Sequence, residues 1–84
     1  MERLRLAWFD SIFYFATEKI KFQEACIQES FRQEDIRQVK DLCVQIETLI
    51  NNGVYDSHSY VTFITLLVQF QIAVRQSHLC KYEE

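Results

Sequence analysis

Glycine and proline are nearly absent from this chain, whose 84 residues include one Gly, Gly53, and no Pro. Tight hairpins and sheet corners draw on these two residue types, so their scarcity argues against an all-β fold. A hydrophobic content of 49% and a formal net charge of -3 argue against disorder. We therefore expect one helical domain over residues 1–84, with few loop residues to hold catalytic groups, and no enzymatic activity.

Basic residues and cysteine pairs are also scarce. Nine Lys and Arg stand against twelve Asp and Glu, so the chain lacks the basic stripe that nucleic-acid binders use, and no nucleic-acid partner is predicted. Cys26, Cys43 and Cys80 are an odd number without C-x-x-C spacing, which indicates neither a disulfide framework nor a zinc site. Free thiols suit a reducing compartment, and we predict a cytoplasmic location.

Motifs that carry catalytic or cofactor chemistry are missing. There is no Gly-rich phosphate loop, no G-x-S-x-G and no H-E-x-x-H. His78 and Cys80 lie two residues apart, which places them on different faces of a helix and disfavours a metal site. No family signature surrounds a Cys-His pair that uses His58 or His78. The prediction is no catalytic residue, no metal, no cofactor and no small-molecule substrate.

Signals for export or membrane insertion are weak. Arg3 and Arg5 precede the apolar stretch 6–9, but Asp10 interrupts it and no A-x-A site follows. The most apolar stretch, 60–74, is shorter than the roughly 20 residues that a membrane crossing needs. It is therefore predicted to be a buried helix without membrane insertion.

Hydrophobic periodicity predicts three helices, at about 2–28 and about 31–51 and a third that follows a short polar connector and extends to about 81. The first carries two apolar stripes side by side, one of Leu4, Trp8, Ile12 and Phe15 and the other of Phe9, Phe13, Ala16 and Ile20. The second has a single stripe, made of Ile36, Val39, Leu42, Cys43, Ile46, Leu49 and Ile50. The third is apolar on every face between 60 and 74.

Capping residues mark the helix ends. Ser30 with Gln33 three residues later predicts a break before the second helix, and Gly53 after two asparagines predicts its end. Asp56, Ser57 or Ser59 can cap the third helix. The short connector makes the second and third helices antiparallel neighbours. The fold class is all-α, a three-helix antiparallel arrangement of a long N-terminal helix and a C-terminal helical hairpin.

The first and third helices hold more apolar surface than three helices of this length can cover, which predicts a protein partner or self-association. The predicted partner-binding residues are Trp8, Phe9, Phe13 and Phe15 in the first helix and Phe63, Leu66, Phe70 and Val74 in the third. The aromatic residues of the first helix are equally suited to an intramolecular core, which stays open at this point. A helix-turn-helix is disfavoured because Arg75 is the only basic residue of the third helix before Lys81.

The segment from the second helix onward, with Asn51-Asn52-Gly53, then Asp56 and Tyr60, resembles the small helical-hairpin co-chaperones of type III secretion needle subunits. In that family a two-helix protein pairs with a tetratricopeptide-like partner and holds the needle subunit monomeric in the bacterial cytoplasm. The resemblance covers about the C-terminal two-thirds of the chain, and the long aromatic first helix departs from it. It implies a chaperone role and a secretion-system partner.

The function predicted from these observations is a cytoplasmic chaperone or adaptor that shields an amphipathic helix of a partner. One alternative is a self-associating structural protein, a homodimeric helical bundle. Another is a small regulator that docks on a larger protein. The three use the same surfaces, and the sequence alone does not separate them.

Overall fold

The computed structural model describes residues 2–28 and 31–81, with side chains at 3–28 and 31–77. It contains three helices, α1 (Glu2–Gln28), α2 (Gln33–Asn52) and α3 (Ser57–Lys81), and no strand in these residues. The predicted all-α class is confirmed. The predicted cap at Ser30 lies outside the described residues, and α2 begins after Arg32, whose backbone is extended and whose side chain makes no capping hydrogen bond.

The connector between α2 and α3 shows the predicted capping residues. Gly53 ends α2 at a φ of 74°, a left-handed conformation that suits glycine, and its N–H donates to the Ile50 carbonyl at 3.3 Å. Of the three candidate caps for α3, Asp56 accepts a hydrogen bond at 2.8 Å from the Ser59 N–H. Hydrogen bonds from the Ser59 N–H and from the Ser59 side chain lower the pKa of the Asp56 carboxyl below its ordinary value of 3.8.

Side-chain contacts fix the direction of each helix. Near the start of α1, Trp8 stacks on Phe63, and further along Phe15 meets Phe70, so α1 and α3 run parallel. Contacts between α1 and α2 run in the opposite sense, because Lys19 pairs with Glu47 and the later Phe22 stacks on the earlier Phe31. The chain is thus an up-down-up bundle about 48 Å long, in which α2 and α3 form the predicted antiparallel hairpin.

Large aromatic side chains attach α1 to this hairpin. Trp8, Phe15 and Phe22 lie seven residues apart and are all buried. Their bulk holds α1 farther from the hairpin than α2 and α3 are from each other, since the distance between helix axes follows the size of the side chains between them. Trp8 also contacts Tyr55 and Tyr60, and its Nε1–H donates to the Asp56 carbonyl at 3.3 Å. The ring contacts and the hydrogen bond of Trp8 therefore hold the start of α1 against the connector.

The third helix buries one side and exposes the others. Phe63, Leu67, Phe70 and Ala73 face the core. Within the described part of the chain, Ser57–Ser77 is the one stretch long and apolar enough to cross a membrane, with a mean hydropathy of 1.2. Core helices of soluble proteins share this composition but are mostly buried, whereas 22% of this stretch is buried, so the expected buried helix is only partly observed. The expected absence of membrane insertion stays a prediction.

Candidate docking surface on the first helix

Four of the eight predicted partner-binding residues lie inside the bundle. Trp8, Phe15, Phe63 and Phe70 are each at most 3% exposed. Trp8 and Phe63 stack with ring centroids 5.1 Å apart, and Phe15 meets Phe70 edge-on at 5.5 Å. Because these aromatic side chains pack against one another within the chain, they are not available to a partner in this conformation. All four belong to the intramolecular core, the alternative that the sequence left open for Trp8 and Phe15 but not for Phe63 and Phe70.

The other four predicted residues divide by helix. Leu66 and Val74 of α3 are half-buried at the edge of the core. Phe9 and Phe13 of α1 are 57% and 75% exposed, which is unusual for residues of this size in a soluble protein. The surface in question is therefore centred on α1.

Phe9 and Phe13 belong to a continuous apolar row, which we call the α1 outer stripe. Its members are Leu6, Phe9, Phe13, Ala16, Ile20 and Ile27, all exposed. The spacing alternates between three and four residues, with the polar Gln23 filling the one gap before Ile27. Such alternation is the pattern of a coiled-coil seam, in which one helix presents a narrow row of side chains to another.

Sequence reasoning grouped Phe9, Phe13, Ala16 and Ile20 into one stripe but missed the two members at its ends. Leu6 and Ile27 lie at its ends and are 60% and 85% exposed. The signal that identifies them is the three-four spacing extended in both directions from Phe9 and Phe13. That signal was present in the sequence, but a second stripe on the same helix masked it.

A groove between α1 and α2 borders the stripe. Two cavities of about 480 Å³ and 600 Å³ lie along it, and the ion pair of Lys19 and Glu47 lines both. The stripe residues Ala16 and Ile20 form part of its α1 wall, and the exposed Val44 forms part of its α2 wall. The apolar surface of α1 thus continues toward α2.

A smaller apolar row lies on α3. Val61, Val68 and Ile72 are exposed, and Thr65 falls between them. This row contains no aromatic residue and ends at Arg75. The third helix, which the sequence marked as apolar on every face, therefore presents a weaker exposed surface than α1.

The thiols near the groove are poorly suited to nucleophilic chemistry. Burial raises the pKa of Cys43 to about 11 and also raises that of Cys26. Both are half-buried free cysteines, and a protonated thiol is a weak nucleophile. Among the described residues no group of three His, Cys, Asp or Glu side chains could hold a metal ion. The side chains of His78 and Cys80 lie outside the described set.

Comparisons with known proteins give no relative on which to base a function. No family model, curated protein or solved structure matches the chain. The α1 outer stripe, which rests on the chain's own residues, is therefore the feature from which a function can be argued.

Proposed function

We propose that this chain is a non-enzymatic protein–protein interaction module whose α1 outer stripe receives an amphipathic helix of another polypeptide, as a small chaperone or adaptor does. The observation that supports this proposal is the exposure of Phe9 and Phe13 within a row at coiled-coil spacing. Exposed apolar rows of this length mark interaction sites in soluble proteins.

The apolar area supports a stable contact. If each phenylalanine side chain offers about 200 Å², the exposed fractions of Phe9 and Phe13 leave roughly 260 Å² in water. Burial of that area gains about 6 kcal/mol at roughly 25 cal/mol per Å², and an equal area on the incoming helix doubles the gain. Association costs of about 4–15 kcal/mol are of the same size. Burial of Leu6, Ile20 and Ile27 adds further apolar area, which makes the net free energy of binding favourable.

A helix fits this surface better than other binding elements. Side chains of an incoming helix can interdigitate with a row spaced three and four residues apart, whereas an added strand needs a sheet edge, and the described residues form no sheet. A helix that packs beside α1 and α2 completes a four-helix bundle with a shared core. The polar outer face of α2, which includes Arg37, Gln38 and Asp41, remains in solvent.

A tagged pull-down tests the proposal. Phe13→Asp places a charge in the centre of the stripe without touching the core and should abolish capture of the partner. Gln38→Asp, on the exposed face of α2, is the matched control and should leave capture unchanged. Phe70→Asp is unsuitable because Phe70 is a core residue. Equal capture by the Phe13→Asp and Gln38→Asp variants would contradict a docking role for α1.

A further inference from the structure

The charges beside the α1 outer stripe are sorted by sign. The flank on the α2 side, which we call the inner flank, consists of Arg5, Ile12, Lys19 and Cys26. The opposite side, the outer flank, consists of Asp10, Thr17 and Glu24. Both charges of the inner flank are positive, and both charges of the outer flank from Asp10 onward are negative, with Arg3, seven residues before Asp10, as the one positive residue on the outer flank.

This sorting selects an orientation for a second helix of the same sequence. In a parallel coiled coil each inner-flank residue faces the outer-flank residue that lies five positions later on the other helix. Arg5 then meets Asp10 of the second copy, and Lys19 meets Glu24 of the second copy, each at a spacing of five residues. An antiparallel pairing brings like flanks together, and its two registers either set Asp10 against Glu24 or pair Arg3 with Glu24 and Asp10 with the uncharged Thr17. The parallel arrangement is thus attractive at both charged positions, while an antiparallel one is attractive at one position at most.

We propose that the helix received by the α1 outer stripe is α1 of a second copy, in a parallel two-fold dimer held by this seam. The inference rests on the docking surface of the proposed function, and it assigns that surface to a second copy of this chain in place of a helix from a different protein. A parallel pair about a two-fold axis is closed, so each α1 outer stripe covers the other and neither is left to recruit further copies.

Three of the four charged groups have no ion-pair partner in the described part of the chain, and the fourth, Lys19, is shared with Glu47. Arg5, Asp10 and Glu24 are exposed, and none forms an ion pair within the described residues. Lys19 pairs with Glu47 at the groove, and its side chain remains partly exposed. Glu24 of the second copy would join this pair as a three-member network across the seam. The middle positions Ile12 and Thr17 carry no charge and oppose neither orientation.

The seam residues fit a single register. Ala16 follows Phe13 in the stripe, and its small side chain leaves room for the two phenylalanine rings that meet at the preceding layer. Gln23 places one polar side chain in an otherwise apolar seam, and paired amides at such a position fix register at some loss of stability. The two copies together bury roughly 500 Å² from Phe9 and Phe13 alone, toward the roughly 1,200 Å² of a specific interface.

A charge exchange tests the parallel seam, with the mass measured by light scattering during size exclusion at several concentrations. The wild-type chain should show twice the 10.1 kDa monomer mass. Arg5→Glu and Asp10→Arg each oppose like charges twice across the axis and should weaken dimerisation by about tenfold or more. The double variant restores opposite charges and should recover the dimer. The control double variant, Arg37→Glu with Asp41→Arg on the exposed face of α2, should dimerise as the wild type does.

A cysteine placed in the seam reports the orientation separately. In a chain whose three native cysteines are alanine, Gln23→Cys should form a disulfide-linked dimer on mild oxidation, because residue 23 faces its own copy in the parallel register. An antiparallel register would separate the two thiols by roughly 20 Å at 1.5 Å per residue. Gln38→Cys, exposed on α2, is the matched control and should stay monomeric on a denaturing gel.

The outcomes separate this inference from the function on which it rests. A dimer indifferent to the charge exchange, or one without the residue 23 cross-link, overturns the parallel seam. A monomeric chain that binds an apolar dye, with Phe13→Asp abolishing the dye signal, overturns self-pairing and leaves the docking surface intact. A monomeric chain that binds no dye overturns both.

Discussion

Two phenylalanines on the same helix provide the sharpest test of which face of α1 is buried. Phe13 and Phe15 are two residues apart, with the same side chain and the same helical backbone, yet Phe13 is 75% exposed and Phe15 is 3% exposed. Their replacement by alanine therefore differs only in what each ring contacts. Phe15 packs edge-on against Phe70 in the core, while Phe13 lies in the α1 outer stripe.

The expected magnitudes follow from this difference. Truncation of a buried phenylalanine to alanine costs about 3–5 kcal/mol, including the cavity that remains. For a domain of this size, a loss of roughly 4 kcal/mol lowers Tm by roughly 15 to 30 °C. Phe15→Ala should thus remove much of the stability of the fold. Phe13→Ala should change the stability of the isolated chain by about 0.5 kcal/mol or less.

The assay is urea unfolding followed by circular dichroism and by Trp8 fluorescence, at several protein concentrations. The cost of Phe15→Ala should not depend on concentration, since the contact with Phe70 lies within one chain. A cost of Phe13→Ala that grows with concentration would mark a contact made only between chains. If Phe13→Ala destabilises the dilute chain as much as Phe15→Ala does, the assignment of the two faces is refuted.

Three further predictions concern the connector and the thiols. Gly53→Ala should cost about 1–2 kcal/mol in urea unfolding, because alanine strains a left-handed φ, while its methyl group meets no atom within 4 Å; a stability equal to wild type would contradict the left-handed cap. The lowered pKa of Asp56 means that the ionised cap stabilises the fold above the ordinary value of 3.8 and loses that effect as pH falls through the folded-state pKa. The stability advantage of wild type over Asp56→Asn should therefore shrink between about pH 6 and about pH 2, and a constant difference in Tm would speak against it. At mildly alkaline pH the Cys43 thiol, with a pKa of about 11, should react slowly with iodoacetamide, as peptide mass spectrometry can measure, and alkylation at the rate of an unburied thiol would count against its burial.

The amino-acid sequence determined the features that depend on neighbours along the chain. The three helices and the end of α2 at Gly53 follow from local hydrogen bonding and backbone preference, and the structure confirms them. The sequence also predicted a cap for α3 at Asp56, Ser57 or Ser59, and the structure places it at Asp56. The short connector also decided that the last two helices form a hairpin. These properties do not depend on the tertiary contacts between the helices.

The tertiary structure alone decided which apolar surface is core. Helix α1 carries two stripes of similar hydrophobicity, and periodicity gives no reason to bury one before the other. The choice follows from long-range contacts of Trp8, whose ring meets Tyr55, Tyr60 and Phe63 and whose N–H reaches the Asp56 carbonyl. Phe15 and Phe22 lie seven and fourteen residues after Trp8, on the same face of α1, and are buried with it. Phe9 and Phe13 lie on the other stripe and are exposed to solvent. In α3 the sequence is apolar on every side, so again only packing against α1 and α2 determines the face that is buried.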